Sequence, residues 1–292
     1  FVRFAMISEH VQLDPVNTGG LLDWGVRLLA SNSMSPRLDA EVLMAALTHR
    51  SRSTVMAFPE RAISGKLAKE FQALMYRRAK GIPLAYLTGH KEFYSMNLQV
   101  SSDTLVPRPE TEILVDQLLR HIAPMGVAKV LDLGTGCGAI ALAIKQQRPN
   151  TSVVAVDASE AALSIASKNG SRLGLEVEWI FSSWFKALDE QQFGFIVSNP
   201  PYVGREDPRL LDGDLRHEPH EALDGGMDGL ASLREIIAGA PQALVPGGTL
   251  LLEHGYDQKL TVSKLLRANG FRSIEMHQDL AGHDRVTLGR VS

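Results

Sequence analysis

The sequence predicts an α/β fold: a doubly wound parallel sheet, preceded by a small helical bundle and a β-hairpin linker. Three features lead there. Residues 18 to about 80 carry helical periodicity alone, and from Ala128 onward apolar strands alternate with amphipathic helices. The first of those strands also runs straight into a glycine-rich turn that opens a helix.

Taken in order, TGGLLDWGVRLLASNS sets Leu21, Leu22, Val26, Leu28 and Leu29 at helical spacing. SPRLDAEVLMAALTHR begins with Ser35 as N-cap and Pro36 at the first helical position, with Leu38, Val42, Ala45 and Ala46 expected on its inner face. SGKLAKEFQALMYRRAKG repeats the pattern through Leu67, Phe71, Leu74 and Met75 and stops at Gly81. These helices are expected to form a bundle over residues 1–83. Between Tyr86 and Val106, aromatic and β-branched residues with a polar break read as a hairpin, so residues 84–108 are expected to link two domains. A helix from Glu110 to about Ile122 leads into the second domain, 109–292. Its strands are AKVLDL, SVVAVD, EVEWIF, FGFIVSN, GTLLLEHG and RVTLGRV. Its helices are GAIALAIKQQ, then SEAALSIASKNGSRLG capped by Ser159, and two more near 229–244 and 257–269.

Composition narrows the function. Of 292 residues 45% are hydrophobic, a globular proportion, and no run reaches the ~18 apolar residues of a membrane span. Lys and Arg number 30 against 33 Asp and Glu, a net charge of −3. That gives no basic surplus for gripping a nucleic-acid backbone, and no stable nucleic-acid binding is expected. Cys137 is the sole cysteine, which rules out an internal disulfide and a cysteine-based zinc cluster. The nine histidines show no metal-ligand spacing, so no metal is expected, and the reducing cytoplasm is the expected compartment. FVRFAMISEH has no secretory pattern and opens on Phe, which no initiator supplies; this leaves Met6 as the natural start or residues 1–5 as a foreign remnant.

In VLDLGTGCGAIAL, Gly134, Gly136 and Gly138 separate a strand from a helix. Glycine permits the tight turn and lets a ligand approach backbone beside the helix N-terminus. Asp157 ends the next strand roughly 20 residues on, where a carboxylate can accept both hydroxyls of a ribose. Dinucleotide enzymes favour a third glycine one place later than this loop has it. The Gly134-Thr135-Gly136-Cys137-Gly138 spacing fits S-adenosylmethionine better, with the zwitterionic tail against the loop. Asp132 has two readings, one orienting that tail's ammonium and the other bonding nearby backbone. Cys137 is expected to be a packing residue within the loop.

The stretch IVSNPPYVG ends another apolar strand on Asn199, Pro200, Pro201 and Tyr202. Asn-Pro is an ordinary strand stop. In a doubly wound sheet, however, the strands ending at Gly134 and Asn199 are neighbours across the switch point where ligands bind. The two prolines then brace a hydrogen-bonding frame beside the cofactor.

These motifs together resemble a class I, Rossmann-like methyltransferase of planar amides or exocyclic amines. IPLAYLTGHKEF, LVPRPETEILV and RHEPHEALDGGMDGL narrow the resemblance to the HemK family of protein-(glutamine-N5) methyltransferases, of the type acting on peptide-chain release factors. The likeness runs from about residue 20 to the end of the chain. It implies S-adenosylmethionine as cofactor, held by Gly134, Thr135, Gly136, Cys137, Gly138, Asp157, Trp184 and Asn199. It implies the glutamine of a Gly-Gly-Gln motif in release factors as substrate, bound by Asn199, Pro200, Pro201 and Tyr202. Asn199, Pro200 and Tyr202 are the expected catalytic residues: the Asn199 side-chain oxygen and the Pro200 carbonyl each accept one amide N–H, and Tyr202 packs on the flat amide. One departure stands out, since members often carry Asp where this chain has Ser183 before Trp184, which weakens a side-chain acceptor for the adenine amine.

Further expectations are that Arg108 and Glu110 pair over the pocket, that Leu105 forms an apolar wall, and that Arg216 to Pro219 form part of a lid or an ordinary solvated loop. Three rivals remain. A glutamine methyltransferase acting on a ribosomal protein has the same pocket. A DNA adenine N6-methyltransferase shares NPPY but needs a basic target-recognition region and base flipping. A silent docking module keeps the fold without turnover.

Overall fold

Contacts divide the chain after Thr88. The structure, a computed structural model, describes residues 17–211 and 213–292. The alternatives for the chain start concern residues outside the described ones.

Among its described residues the first unit is built of helices: α1 (Thr18–Leu29), α2 (Pro36–Thr48), α3 (Arg52–Ala57), α4 (Gly65–Ala79) and α5 (Leu84–Thr88). Leu21, Leu22 and Leu29 of α1 meet Leu43 and Met44 of α2 and Phe71 and Met75 of α4 in one buried cluster. Each such side chain contributes about 1.5–3 kcal/mol of burial. The inner face of α2 differs from the expected one. Leu38 is exposed, and the helix buries Ala40, Leu43 and Met44 together with Asp39 and Glu41. Asp39 accepts from Arg78 Nε at 2.7 Å, and Glu41 accepts from Arg37 Nε at 2.7 Å. Two acids on the inward face hide it from a pattern sought in apolar residues alone. The Ser35 hydroxyl likewise donates to Asp39, at 3.3 Å, and makes no capping bond.

The second unit opens with an antiparallel hairpin, β1 (His90–Phe93) and β2 (Met96–Gln99). The hairpin read as a linker is bonded to this unit. Asn169 accepts from Gln99 N at 2.7 Å and donates to the carbonyls of Gln99 and Cys137, each at 3.0 Å. A 3₁₀ turn at Pro109–Thr111 then leads into α6 (Glu112–His121).

Strands and helices alternate after that: β3 (Lys129–Leu133), α7 (Ala139–Gln147), β4 (Ser152–Asp157), α8 (Glu160–Leu173), β5 (Glu178–Phe181), β6 (Phe193–Ser198), α9 (Ala231–Ala243), β7 (Leu244–Glu253), α10 (Lys259–Ala268), β8 (Arg272–Gln278) and β9 (Asp284–Arg290). Ser159 caps α8, accepting from Ala162 N at 3.2 Å. The sheet order is β5-β4-β3-β6-β7-β9-β8, parallel from β5 to β7 and antiparallel at β9 and β8. The chain moves outward from β3 in one direction, then crosses back to β6. That crossing is the switch point. α9 and α10 bury Leu233, Ile236, Val262 and Leu266 with Leu131, Ile196 and Leu250 of the sheet, while α6, α7 and α8 lie against β4 to β7. β8 was absent from the sequence reading: as an edge strand it buries no residue, so no apolar alternation marks it.

Candidate active site

β3 and β6 run in register with Leu133 opposite Ser198, and the Ser198 hydroxyl donates to the Leu133 carbonyl at 2.7 Å. The next residues are Gly134 and Asn199, so the two motifs leave the sheet side by side. Between them opens a cavity of about 260 Å³, lined by Gly134, Gly136, Asp157, Trp184, Asn199 and Pro201 among others.

The glycine turn is built by its own bonds. Gly134, Gly136 and Gly138 all have positive φ, at 71°, 57° and 86°. A Cβ on Gly138 would sit 3.0 Å from Trp179 and 3.1 Å from Leu142, so this glycine serves helix packing. A Cβ on Gly136 meets no protein atom within 4 Å. A side chain there would enter open space at the cavity wall. Asp157 accepts from Gly136 N at 2.8 Å and Ser159 N at 2.9 Å, which fixes its carboxylate at the cavity wall. Burial raises its pKa and those backbone bonds pull it back.

Thr135, Cys137 and Gly138 do not line the cavity. Thr135 donates to Asp132 at 2.7 Å, and Cys137 is buried, its thiol pushed up to about 12 by desolvation. Asp132 is fully buried and also accepts from Ala141 N at 3.2 Å. It therefore ties the turn to the first turn of α7, the second of its two readings. Its other oxygen has no hydrogen-bond partner, and burial raises its pKa to about 7. Trp184 packs against the main core, and its ring lies beside Gly134 at the cavity wall.

A second cavity, about 160 Å³, adjoins the first and is lined by Arg108, Asn199, Pro200, Tyr202 and Arg285 with apolar neighbours. Leu105, Asn199 and Ala222 line both cavities. Leu105 is thus the apolar wall expected of it. Asn199 Nδ2 donates to Thr111 Oγ1 at 3.1 Å, which leaves the Asn199 side-chain oxygen free of that bond. Tyr202 is largely buried and donates to Glu253 at 3.2 Å; burial and that carboxylate raise its pKa.

Arg108 pairs with Glu218, not with Glu110. Glu218 also accepts from Val106 N at 3.0 Å, and its side chain is wholly buried. A buried acid between two donors outcompetes a partly exposed one two residues away. This pair ties the LVPRPETE segment to RHEP, and Pro219 next to it lines the first cavity. Sequence reasoning missed Thr111 and Glu253, and it named Glu218 only as part of a stretch read as a lid or a solvated loop. The available signal for Glu253 was an acid ending the apolar run TLLLE beside the switch point, the same logic that found Asp157.

Comparison with known proteins adds the family. Residues 20–89 match the PrmC N-terminal domain and residues 109–212 the methyltransferase small domain. The chain is 46% identical over 260 residues to the release factor glutamine methyltransferase of Salmonella typhimurium, covering 89% of this chain and 94% of that one. It is 48% identical to the Pseudomonas aeruginosa protein of the same name, with the same coverage. The chain belongs to the release factor glutamine methyltransferases. The fold is shared more widely: the T. thermophilus 16S rRNA N2 G1207 methyltransferase, solved with AdoMet and guanosine, is 21% identical with a TM-score of 0.50, over 70% of this chain and 50% of that one. Within the described residues no helix is long and apolar enough to cross a membrane.

Proposed function

We propose that this methyltransferase transfers a methyl group from S-adenosylmethionine to the side-chain amide nitrogen, N5, of the glutamine in a release factor's Gly-Gly-Gln motif. The observation that carries this is Asn199 lining both cavities, one walled by the glycine turn and one by the NPPY frame. The residues fit the cofactor: Gly136 leaves room where a side chain would project, Asp157 offers a fixed carboxylate for a ribose, and Trp184 gives a flat apolar wall for a base. When bound, S-adenosylmethionine supplies an electrophilic methyl on a positively charged sulfur.

A glutamine amide nitrogen is a weak nucleophile because its lone pair is shared with the carbonyl. Asn199 Oδ1 and the Pro200 carbonyl accept its two N–H groups and present the nitrogen's face to the methyl donor. Acceptors held ready stabilise charge that builds on nitrogen during transfer. Holding two reactants in line contributes about 7–11 kcal/mol of barrier reduction. Tyr202 stacks on the amide plane. The helical domain recognises the body of the factor, and the protein acts in the cytoplasm alongside its substrate. A ribosomal-protein substrate is disfavoured by the family assignment, and a DNA adenine by the chain's net charge of −3.

Mass spectrometry tests this directly. Incubation of the protein with S-adenosylmethionine and whole release factor is expected to add one methyl to the motif glutamine. A short Gly-Gly-Gln peptide is expected to react much more slowly. Methylation of ribosomal protein or DNA in place of the factor would replace the reading, and equal peptide turnover would remove the recognition role of the helical domain.

A further inference from the structure

Glu253, the last residue of β7, is not among the residues that line either cavity, yet it holds the side chain of the NPPY tyrosine. It is 1% exposed. The Tyr202 hydroxyl donates to its Oε1 at 3.2 Å. Its Oε2 is buried with no regular hydrogen bond. Thr111 is buried beside it and accepts from Asn199 Nδ2 at 3.1 Å, so the Thr111 hydroxyl has its own proton left to give. The orphaned carboxylate oxygen lacks a donor and the Thr111 hydroxyl has an unassigned proton. That hydroxyl is also the strongest influence offsetting the cost of burying this charge.

The direction of these bonds has a consequence. A primary amide presents oxygen on one side and NH₂ on the other, and neighbours decide which way round it sits. While Thr111 gives its proton to a carboxylate, its oxygen can only accept, and what faces it must be the Asn199 NH₂. Asn199 is then left with its oxygen for the substrate. If Glu253 stops accepting, the Thr111 hydroxyl is free to rotate and donate to Asn199. The amide turns over and presents N–H to the substrate's N–H, donor against donor. Resting on the reading of Asn199 as the substrate's acceptor, we propose that Glu253 is a positioning residue that acts through Thr111 and Tyr202 to keep the Asn199 oxygen facing the substrate amide.

Burial raises the carboxyl's pKa to about 7, against the hydroxyls of Thr111 and Tyr202 and the charge of Arg285 on β9, with Glu110 opposing them. A protonated carboxyl can donate as well as accept, so it no longer fixes the direction of the Thr111 bond, and the acid limb of activity should belong to this group.

The test uses the full-length enzyme and whole release factor. Glu253→Gln keeps the shape and replaces a group that can only accept with an amide that can also donate. It is expected to lower kcat by about tenfold or more, with S-adenosylmethionine affinity and melting temperature little changed, and to flatten the acid limb of the kcat profile. Thr111→Val should give a similar loss, Thr111→Ser should restore activity, and the Glu253→Gln/Thr111→Val double variant should be no worse than the poorer single one. Additive losses, or wild-type kcat in Glu253→Gln, would overturn the proposal; so would a parallel loss of cofactor affinity and melting temperature. A wild-type protein inactive on release factor would count against the function and not against this network. Carbon-13 NMR of the Glu253 carboxyl reads the network without turnover: Thr111→Val should raise its midpoint, and an unmoved midpoint would sink the Thr111 link.

Discussion

At the scale of single residues, two positions separate chemistry from cofactor binding. Asn199 lines both cavities but is not part of the glycine turn, so Asn199→Ala is expected to abolish methyl transfer while leaving S-adenosylmethionine affinity nearly intact. Calorimetric titration beside a turnover assay checks this, and an equal loss of both would make the residue structural. Gly136 should behave in the opposite way. Its φ of 57° is poorly tolerated by a β-branched residue, and its missing side chain would project into the first cavity. Gly136→Val is expected to lose cofactor binding with the fold retained by circular dichroism; normal binding would show the turn is misread. Both residues were legible in the sequence because each sits in a strand-end motif whose spacing has a mechanical reason. Thr111 and Glu253 were not. Glu253 leaves one local trace, an acid ending an apolar strand, but the hydrogen bonds that make both residues matter join segments far apart in the chain.

At the scale of elements, the segment between β6 and α9 folds back to brace the NPPY frame. Val203 N donates to the Leu223 carbonyl at 3.0 Å and Gly225 N to the Val203 carbonyl at 2.8 Å. Gln258 Nε2 donates to the Tyr202 carbonyl at 3.0 Å and the Gly229 carbonyl at 3.1 Å. Gly229 has φ 72°, and a Cβ there would fall 2.5 Å from the Tyr202 carbonyl oxygen. Gly229→Ala must therefore displace Tyr202. It is expected to cost about 1–3 kcal/mol of stability and to lower kcat more than cofactor affinity. Urea denaturation and steady-state kinetics measure the two effects; an unaltered kcat would show that the Tyr202 backbone tolerates the shift. β3, β4, β6 and β7 were readable as apolar runs because they are buried on both faces along most of their length. β8 and the inner face of α2 were not, the first for want of a buried face and the second because Asp39 and Glu41 occupy it.

For the whole molecule, the two carboxyls buried around the switch point set a pH dependence. Asp132 and Glu253 have folded pKa values of about 7 against ordinary values of 3.8 and 4.5. The native state holds protons that the unfolded chain releases, so their contribution to stability is complete below the ordinary values and is lost as pH rises through neutrality. His254, whose pKa burial lowers, acts at the other end, losing stability as pH falls. The fall in urea midpoint between about pH 5 and about pH 8 is expected to be smaller in Glu253→Gln than in the wild type. Identical falls would mean that this carboxyl is ionised across the whole range.

The chain's only sulfhydryl, that of Cys137, is enclosed between the glycine turn and α8 and held as the unreactive thiol. Maleimides and mild oxidants should pass the native enzyme by. A fluorophore or spin label attached to one introduced surface cysteine would then report from a silent background, without first stripping a native residue from the glycine turn.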